Sequence, residues 1–190
     1  MKIYTKTGDD GQTGLLGGQR VSKSDFHVSA LGDIDELNAG LGRLISQCQT
    51  SSHDTHRTMA IPLQNIQNWL FQLGMMVADV RAKQSSANPS NHLLQLETQI
   101  DDWEAGLPPL KQFILPGGHP VAAEAHHVRC VCRRAERQVV ALRDSQSSQQ
   151  IENLRPVLTY LNRLSDFLFV FARQANFLAG SQETPWTGPE

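Results

Sequence analysis

The 190-residue chain contains only three cysteines, Cys48, Cys130 and Cys132. An odd count with one i, i+2 pair matches neither a disulfide framework nor the C-x-x-C spacing of a redox or zinc site. A reducing, cytoplasmic setting is expected. An excess of charge of one sign is lacking too, since 17 Lys and Arg stand against 19 Asp and Glu, a net charge of −2. No global field is available to hold nucleic acid or an anionic membrane, so any anion site must be built locally. The opening MKIYTKTGDD has no apolar signal-peptide core, and the longest nearly apolar run, Phe167 to Ala172, is far too short for a membrane span. Neither the glycine-lysine P-loop pattern nor GxGxxG occurs, which excludes a standard P-loop or Rossmann nucleotide site. Beyond a short IYT at residues 3–5 there is no alternating strand pattern, and there is no internal repeat.

What is present is helical periodicity, in a chain whose 39% hydrophobic residues suffice for the core of one domain spanning residues 1–190. Five of the 14 glycines fall between Gly8 and Gly18, so residues 1–24 are expected to form an ordered loop rather than a regular element. From Ser24 onward Val28, Leu31, Ile34, Leu37, Leu41, Leu44 and Ile45 recur on one helix face. The polar run SQCQTSSHDTHRT breaks that pattern, and a second helix is expected from Met59 to Ala82, then a short third from Leu93 to Ala105, ahead of Pro108 and Pro109. Pro120 suits a first helical position, and Val121, Ala125, Val128, Cys132, Ala135, Val139 and Leu142 follow at strict 4-3 spacing, the seam of a bundle helix. A last helix runs from Leu154 to about Ala179, apolar all round at FLFVF and therefore central; the tail 181–190 reads as irregular. The pattern implies an all-α antiparallel bundle over residues 25–180.

Two places can carry anion chemistry. In the N-terminal loop, backbone amides freed by the glycines stand near Lys6, Arg20 and Lys23, an arrangement that suits phosphate; the plain alternative is a flexible tail. In VRCVCRRAER, Arg129, Arg133 and Arg137 recur at i, i+4 and i+8, with Arg134 turned further round. Like charges at that spacing repel, which facing carboxylates or a polyphosphate would relieve; the plain alternative is a solvated face pairing with Glu136 and Asp144. Arg129 follows the seam residue Val128 as Asp35 follows Ile34, so a partly buried Asp35–Arg129 pair is expected. Glu124 and His127 form one Glu-x-x-His, but a di-metal bundle needs two such motifs and further Glu. Metal ligands are left unassigned. His126 and His127 are expected at the surface or behind a site as supporting residues, His53 and His56 in a polar loop, and the cysteines in the core.

Three long segments, YTKTGDDGQTGL, FILPGG with VRCVCRRAER, and YLNRLSDFLFVFAR, together resemble the PduO-type ATP:cob(I)alamin adenosyltransferases in content, order and spacing over nearly the whole chain. The resemblance implies a homotrimer of five-helix bundles with a ferritin-like up-and-down core, its active sites between subunits. It implies transfer of the 5′-deoxyadenosyl group of ATP to the cobalt of cob(I)alamin, with triphosphate leaving and Mg²⁺ assisting. By the same likeness Thr5, Lys6, Thr7, Gly8, Thr13 and Lys23 wrap ATP together with Arg133, Arg134, Glu136, Arg137 and Asn162. Asp35 and Arg129 pair across the subunit boundary, and with Arg133 they make the catalytic set. Phe113 lies on the corrin side. Implied partners are a cob(II)alamin reductase and an adenosylcobalamin-dependent enzyme, with no nucleic acid and no membrane. The rival is a non-catalytic nucleotide-binding or corrinoid-carrier bundle, which would not need a grip on triphosphate.

Overall fold

A computed structural model describes residues 3–79, 89–146 and 148–188. Five long helices are α1 (Phe26–Thr50), α3 (Ile61–Ala78), α4 (Ser90–Glu104), α5 (Pro120–Asp144) and α6 (Ser148–Leu178); a six-residue α2 (Asp54–Met59) precedes α3. The end of the expected second helix beyond residue 79 lies outside the described residues. Part of the polar run read as a break is helical: α1 continues to Thr50 and DTHRTM is α2.

The seams close as their spacing requires. All seven seam residues of α5 are buried, as are Ile34, Leu37, Leu41, Leu44 and Ile45 of α1. Leu161, Phe167, Leu168 and Phe171 of α6 are wholly enclosed, which makes that helix central. Helix α1 packs on α5 and α3, while α6 packs on α5, α4 and α3. The four core helices thus form a ring in which the α1/α3 edge is opposite the α5/α6 edge. Among the described residues no helix is long and apolar enough to cross a membrane.

Short strands qualify the all-α expectation. Residues 3–5 form none, but β1 (Gln12–Gly14) pairs antiparallel with β2 (Arg20–Ser22), Thr13 opposite Val21. The tail is likewise not irregular throughout: β4 (Thr184–Pro185) pairs with β3 (Ile114–Leu115), Leu115 opposite Thr184. These ladders hold three and two residue pairs, too short to show a period-2 pattern.

Candidate functional site

The N-terminal segment is held by its own polar contacts. The five-residue turn between β1 and β2 closes through Leu15 N–H to the Gln19 carbonyl, and buried Leu15 anchors it. Arg20 Nη2 donates to the Thr7 carbonyl at 2.6 Å, and the Thr5 and Thr7 hydroxyls lie 2.8 Å apart. The Lys23 amide donates to the Gly11 carbonyl, while a Cβ on Gly8 would stand 3.4 Å from Lys23 Nζ. Lys6 adopts the left-handed region at φ 62°. Thr5, Thr7, Gly8 and Lys23 are therefore gathered in one exposed, ordered cradle, with Lys6 in the same turn and Thr13 on the adjoining strand. The next residues start α1, where the Asp25 carboxylate accepts from the His27 amide at 2.8 Å. That bond holds its carboxyl below the usual carboxylate range.

On the opposite edge a cleft of about 850 Å³ opens between α4, α5, α6 and β3, lined by Phe113, Ile114, Arg129, Arg133, Arg163 and Phe169 among others. It brings together Phe113, from the segment before α5, with Arg129 and Arg133, one turn apart on α5. Phe113 is 75% exposed. Arg129 places its guanidinium carbon 5.9 Å from the Phe169 ring centroid, and its Nε is buried without a hydrogen-bond partner among the described residues. Arg163 is engaged by Glu97 at 2.9 Å and Asp166 at 3.0 Å, so its charge is locally balanced. Arg133 and Arg137 are exposed and stacked by one turn, Arg137 Nη1 donating to the Arg133 carbonyl. Nearby, Asn162 donates its amide to Glu136 at 3.3 Å across the α5/α6 contact.

Two further candidate residues lie away from this cleft. Arg134 turns to α1, where it forms ion pairs with Glu36 and Asp33. Asp35 lines an apolar groove of about 340 Å³ on the α1/α3 edge, beside Leu16, Phe71 and Met75, so it does not meet Arg129 within one chain. Of the cysteines, Cys48 and Cys132 are buried, and burial pushes the Cys48 thiol up to about 11; Cys130, however, is exposed, because it lies two residues from both seam positions Val128 and Cys132 and so on the far side of the helix. Glu124 is buried and paired with Arg43 at 3.0 Å. No group of three His, Cys, Asp or Glu suited to a metal ion occurs among the described residues.

The histidines depart furthest from expectation. His56 is fully buried, Nδ1 2.7 Å from the Ser51 hydroxyl and Nε2 2.9 Å from the Ala175 carbonyl, so it bolts α2 to α6 rather than lying in a loop. His119 caps α5 by accepting from the Val121 amide, and its pKa is lowered by burial and by the neighbouring His56 and His53. His126 is 3% exposed, and neither ring nitrogen has a hydrogen-bond partner among the described residues. Burial and then the Arg129 charge lower its pKa, with Glu183 opposing. His127 is exposed, as expected.

Sequence reasoning missed the parts that hold Phe113 in place. Buried Asn176 accepts from the His119 amide at 2.8 Å and donates to the Gly117 carbonyl at 3.0 Å, fixing the turn from β3 into α5. Buried Arg173 donates to Glu183 in the tail and to the Pro108 carbonyl. The Trp186 amide donates to the Phe113 carbonyl at 2.8 Å, and the two rings meet edge to face at 6.2 Å. A polar pair at i, i+3 inside the otherwise apolar end of α6 was the available signal, since such residues are enclosed only when bonded.

These features define a class of helical bundle with a glycine-rich cationic cradle at one edge and, at the other, a cleft headed by an exposed aromatic ring and lined by Arg129, Arg133 and Arg163 together with the carboxylates of Glu97, Asp101, Glu104 and Asp166. The chain is similar to several known proteins. A family model described as cobalamin adenosyltransferase matches residues 3–175. The corrinoid adenosyltransferase of Bacillus subtilis (strain 168) is 42% identical over 180 residues, covering 95% of this chain and 89% of that protein. The corrinoid adenosyltransferase MMAB of Homo sapiens is 39% identical over 188 residues, covering 96% and 72%. A phenylalanine-to-histidine variant of the PduO-type ATP:corrinoid adenosyltransferase from Lactobacillus reuteri, complexed with cobalamin and ATP, superposes with a TM-score of 0.88 at 36% identity, covering 100% of this chain and 98% of that one. An arginine-to-lysine variant of the same enzyme, complexed with ATP, gives 0.86 at 35% identity, with 97% and 99% covered. The chain belongs to the cobalamin adenosyltransferase family.

Proposed function

We propose that this protein transfers the 5′-deoxyadenosyl group of ATP to the cobalt of cob(I)alamin, releasing triphosphate. The observation that carries the reading is the convergence of Phe113, Arg129 and Arg133 on one cleft large enough for part of a flat macrocycle. Reduced cobalt supplies the electron pair, the bond from C5′ to the triphosphate oxygen breaks, and the negative charge grows on the leaving oxygens. The protein therefore needs to orient and to stabilise charge rather than to supply a nucleophile. Arg133 and Arg137 on α5, with Lys6 and Lys23 in the cradle, are the cations assigned to the phosphates, while Thr5, Thr7, Gly8, Thr13 and Asn162 hold ATP. Arg134 joins them by exchanging Asp33 and Glu36 for phosphate oxygens. Mg²⁺ enters as the ATP complex: the phosphates supply most of its hard oxygen ligands, and the Glu136 carboxylate beside Asn162 suits one remaining position.

The cradle and the cleft lie on opposite edges of the bundle, so one chain does not bring them together. That separation supports a homotrimer in which the cradle of one subunit faces α5 of the next and Asp35 meets the unpartnered Nε of Arg129. Phe113 is assigned to the corrin face, where a large apolar ring excludes water and the lower axial ligand. A reductase that delivers cob(I)alamin and an adenosylcobalamin-dependent enzyme that takes the product complete the proposed cytoplasmic setting. The test is the cobalamin absorption spectrum after mixing purified protein, ATP, Mg²⁺ and chemically reduced cobalamin. Conversion to the adenosylcobalamin spectrum is expected; ATP binding without conversion would indicate a non-catalytic nucleotide-binding bundle, and cobalamin binding without ATP binding a corrinoid carrier.

A further inference from the structure

The ladder that carries Phe113 is too small to hold itself. Strands β3 and β4 contribute two residues each, most of them exposed, and isolated two-stranded pairings are marginal even when much longer. Something else must fix the tail. Helix α6 ends at Leu178 and the chain turns back through Gly180, whose φ of 65° permits the reversal. Three residues after that glycine, Glu183 receives the Arg173 guanidinium at 3.0 Å through Nε, with further contacts of 3.3 Å from both Nε and Nη2. The same Nη2 donates at 2.7 Å to the carbonyl of Pro108, in the connector that leads to β3. Arg173 is 4% exposed and Glu183 23%, so one buried cation grips both chain segments that form the ladder. The other ionisable neighbour of Glu183 is His126, which burial and Arg129 hold toward the neutral form. Arg173 is therefore its cationic partner.

We propose that Arg173 and Glu183 are positioning residues for the corrinoid half of the reaction: their ion pair registers β4 on β3 and thereby sets Trp186 against Phe113. The proposal rests on the reading of the Phe113 cleft as the corrinoid side. Trp186 is 48% exposed and Phe113 75%, so the edge-to-face pair has an open side that a flat ligand can cover. A tail freed from Arg173 would carry Trp186 away and leave Phe113 unsupported. The ATP cradle, on the opposite edge of the bundle, would be untouched.

The experiment uses full-length protein with Glu183→Ala, the milder Glu183→Gln, Trp186→Ala, and the double Glu183→Ala/Trp186→Ala. A charged hydrogen bond lost at the tail corresponds to roughly a tenfold effect. Glu183→Ala is expected to raise the KM for reduced cobalamin by about that factor and Glu183→Gln by less, each leaving the KM for ATP within about twofold. The double variant should be no worse than Trp186→Ala alone, because both changes act through one contact. Hydrogen exchange of the Trp186 amide, bonded to Phe113 in the wild type, should accelerate in both Glu183 variants. Phe113→Ala serves as the separate check on the cleft. If Phe113→Ala raises the cobalamin KM but Glu183→Ala and Glu183→Gln do not, the positioning role is overturned while the cleft reading stands. If Phe113→Ala also leaves that KM unchanged, both are overturned. Additive losses in the double variant, or unchanged exchange at Trp186, would likewise refute the clasp.

Discussion

Replacing Gly118 with alanine tests the turn that aims both Phe113 and α5, and its cost can be worked from the geometry. Gly118 has φ of +98°, where an L side chain is strained by about 1–3 kcal/mol. A Cβ there would also collide with the Asn176 side chain, lying 2.7 Å from both Cγ and Nδ2 and nearer still to Oδ1. Asn176 is 2% exposed and cannot retreat without breaking its bonds to the His119 amide and the Gly117 carbonyl. Unpairing buried polar groups costs about 1–3 kcal/mol per group, so with two bonds broken the total is about 3–9 kcal/mol. For a chain of this size each kcal/mol lowers Tm by about 2–4 °C, giving a fall of at least about 6 °C at the low end of both ranges. Gly117→Ala is the matched control, since a Cβ there meets nothing within 4 Å and its φ is ordinary. Thermal unfolding followed by circular dichroism reads both. Equal Tm values for the two variants would refute the reasoning, whereas the expected result also brings a rise in the cobalamin KM from displacement of Phe113.

Arg133→Ala, an exposed change off the α5 seam, should leave Tm unaltered yet lower kcat by about 10²–10³ at saturating ATP, as loss of a charge-stabilising donor does; wild-type turnover would return Arg133 to a solvated surface. Asp35→Asn and Arg129→Ala should each impair activity, and the double variant should lose less than the sum, because each single change strands one charge; additive losses would show that the side chains do not meet between subunits. His119 and His126 both have lowered pKa values in the fold, whereas an unfolded histidine titrates near about 6.5. The unfolded chain therefore binds protons first, and stability should be full above that pH and decline as pH falls through the window below it. Denaturant midpoints between pH 7 and pH 5 read this, and a flat profile would contradict it.

The helices were legible wherever burial alone dictates spacing. The 4-3 pattern of α5 runs from Val121 to Leu142, and each of those residues is enclosed because a bundle seam tolerates no slip. The arginine cluster proposed to bind anions was legible because cations repel one another unless something faces them, and the cleft does gather Arg129 and Arg133 with Phe113. Pairing between distant segments was not legible. Nothing local in ETPW announces that it will meet FIL some 70 residues earlier, since a two-pair ladder needs only backbone groups. Buried polar side chains were equally hidden. His56 sits in a Ser/Thr-rich run that reads as loop, and only the fold supplies Ser51 and the Ala175 carbonyl as its partners. Arg134 shows the converse: it shares the arginine run with Arg133, but 100° of helical rotation carries it to Glu36 and Asp33.

The most direct test of the central claim is the identity of the phosphate product. Protein incubated with ATP, Mg²⁺ and chemically reduced cobalamin should yield inorganic triphosphate in equal amount to adenosylcobalamin, resolved by anion chromatography beside the cobalamin spectrum. That result follows if cationic groups on the cradle and on α5 hold all three phosphates while the C5′–oxygen bond breaks. Diphosphate and phosphate as primary products, or nucleotide consumption without a new cobalt–carbon bond, would contradict the account.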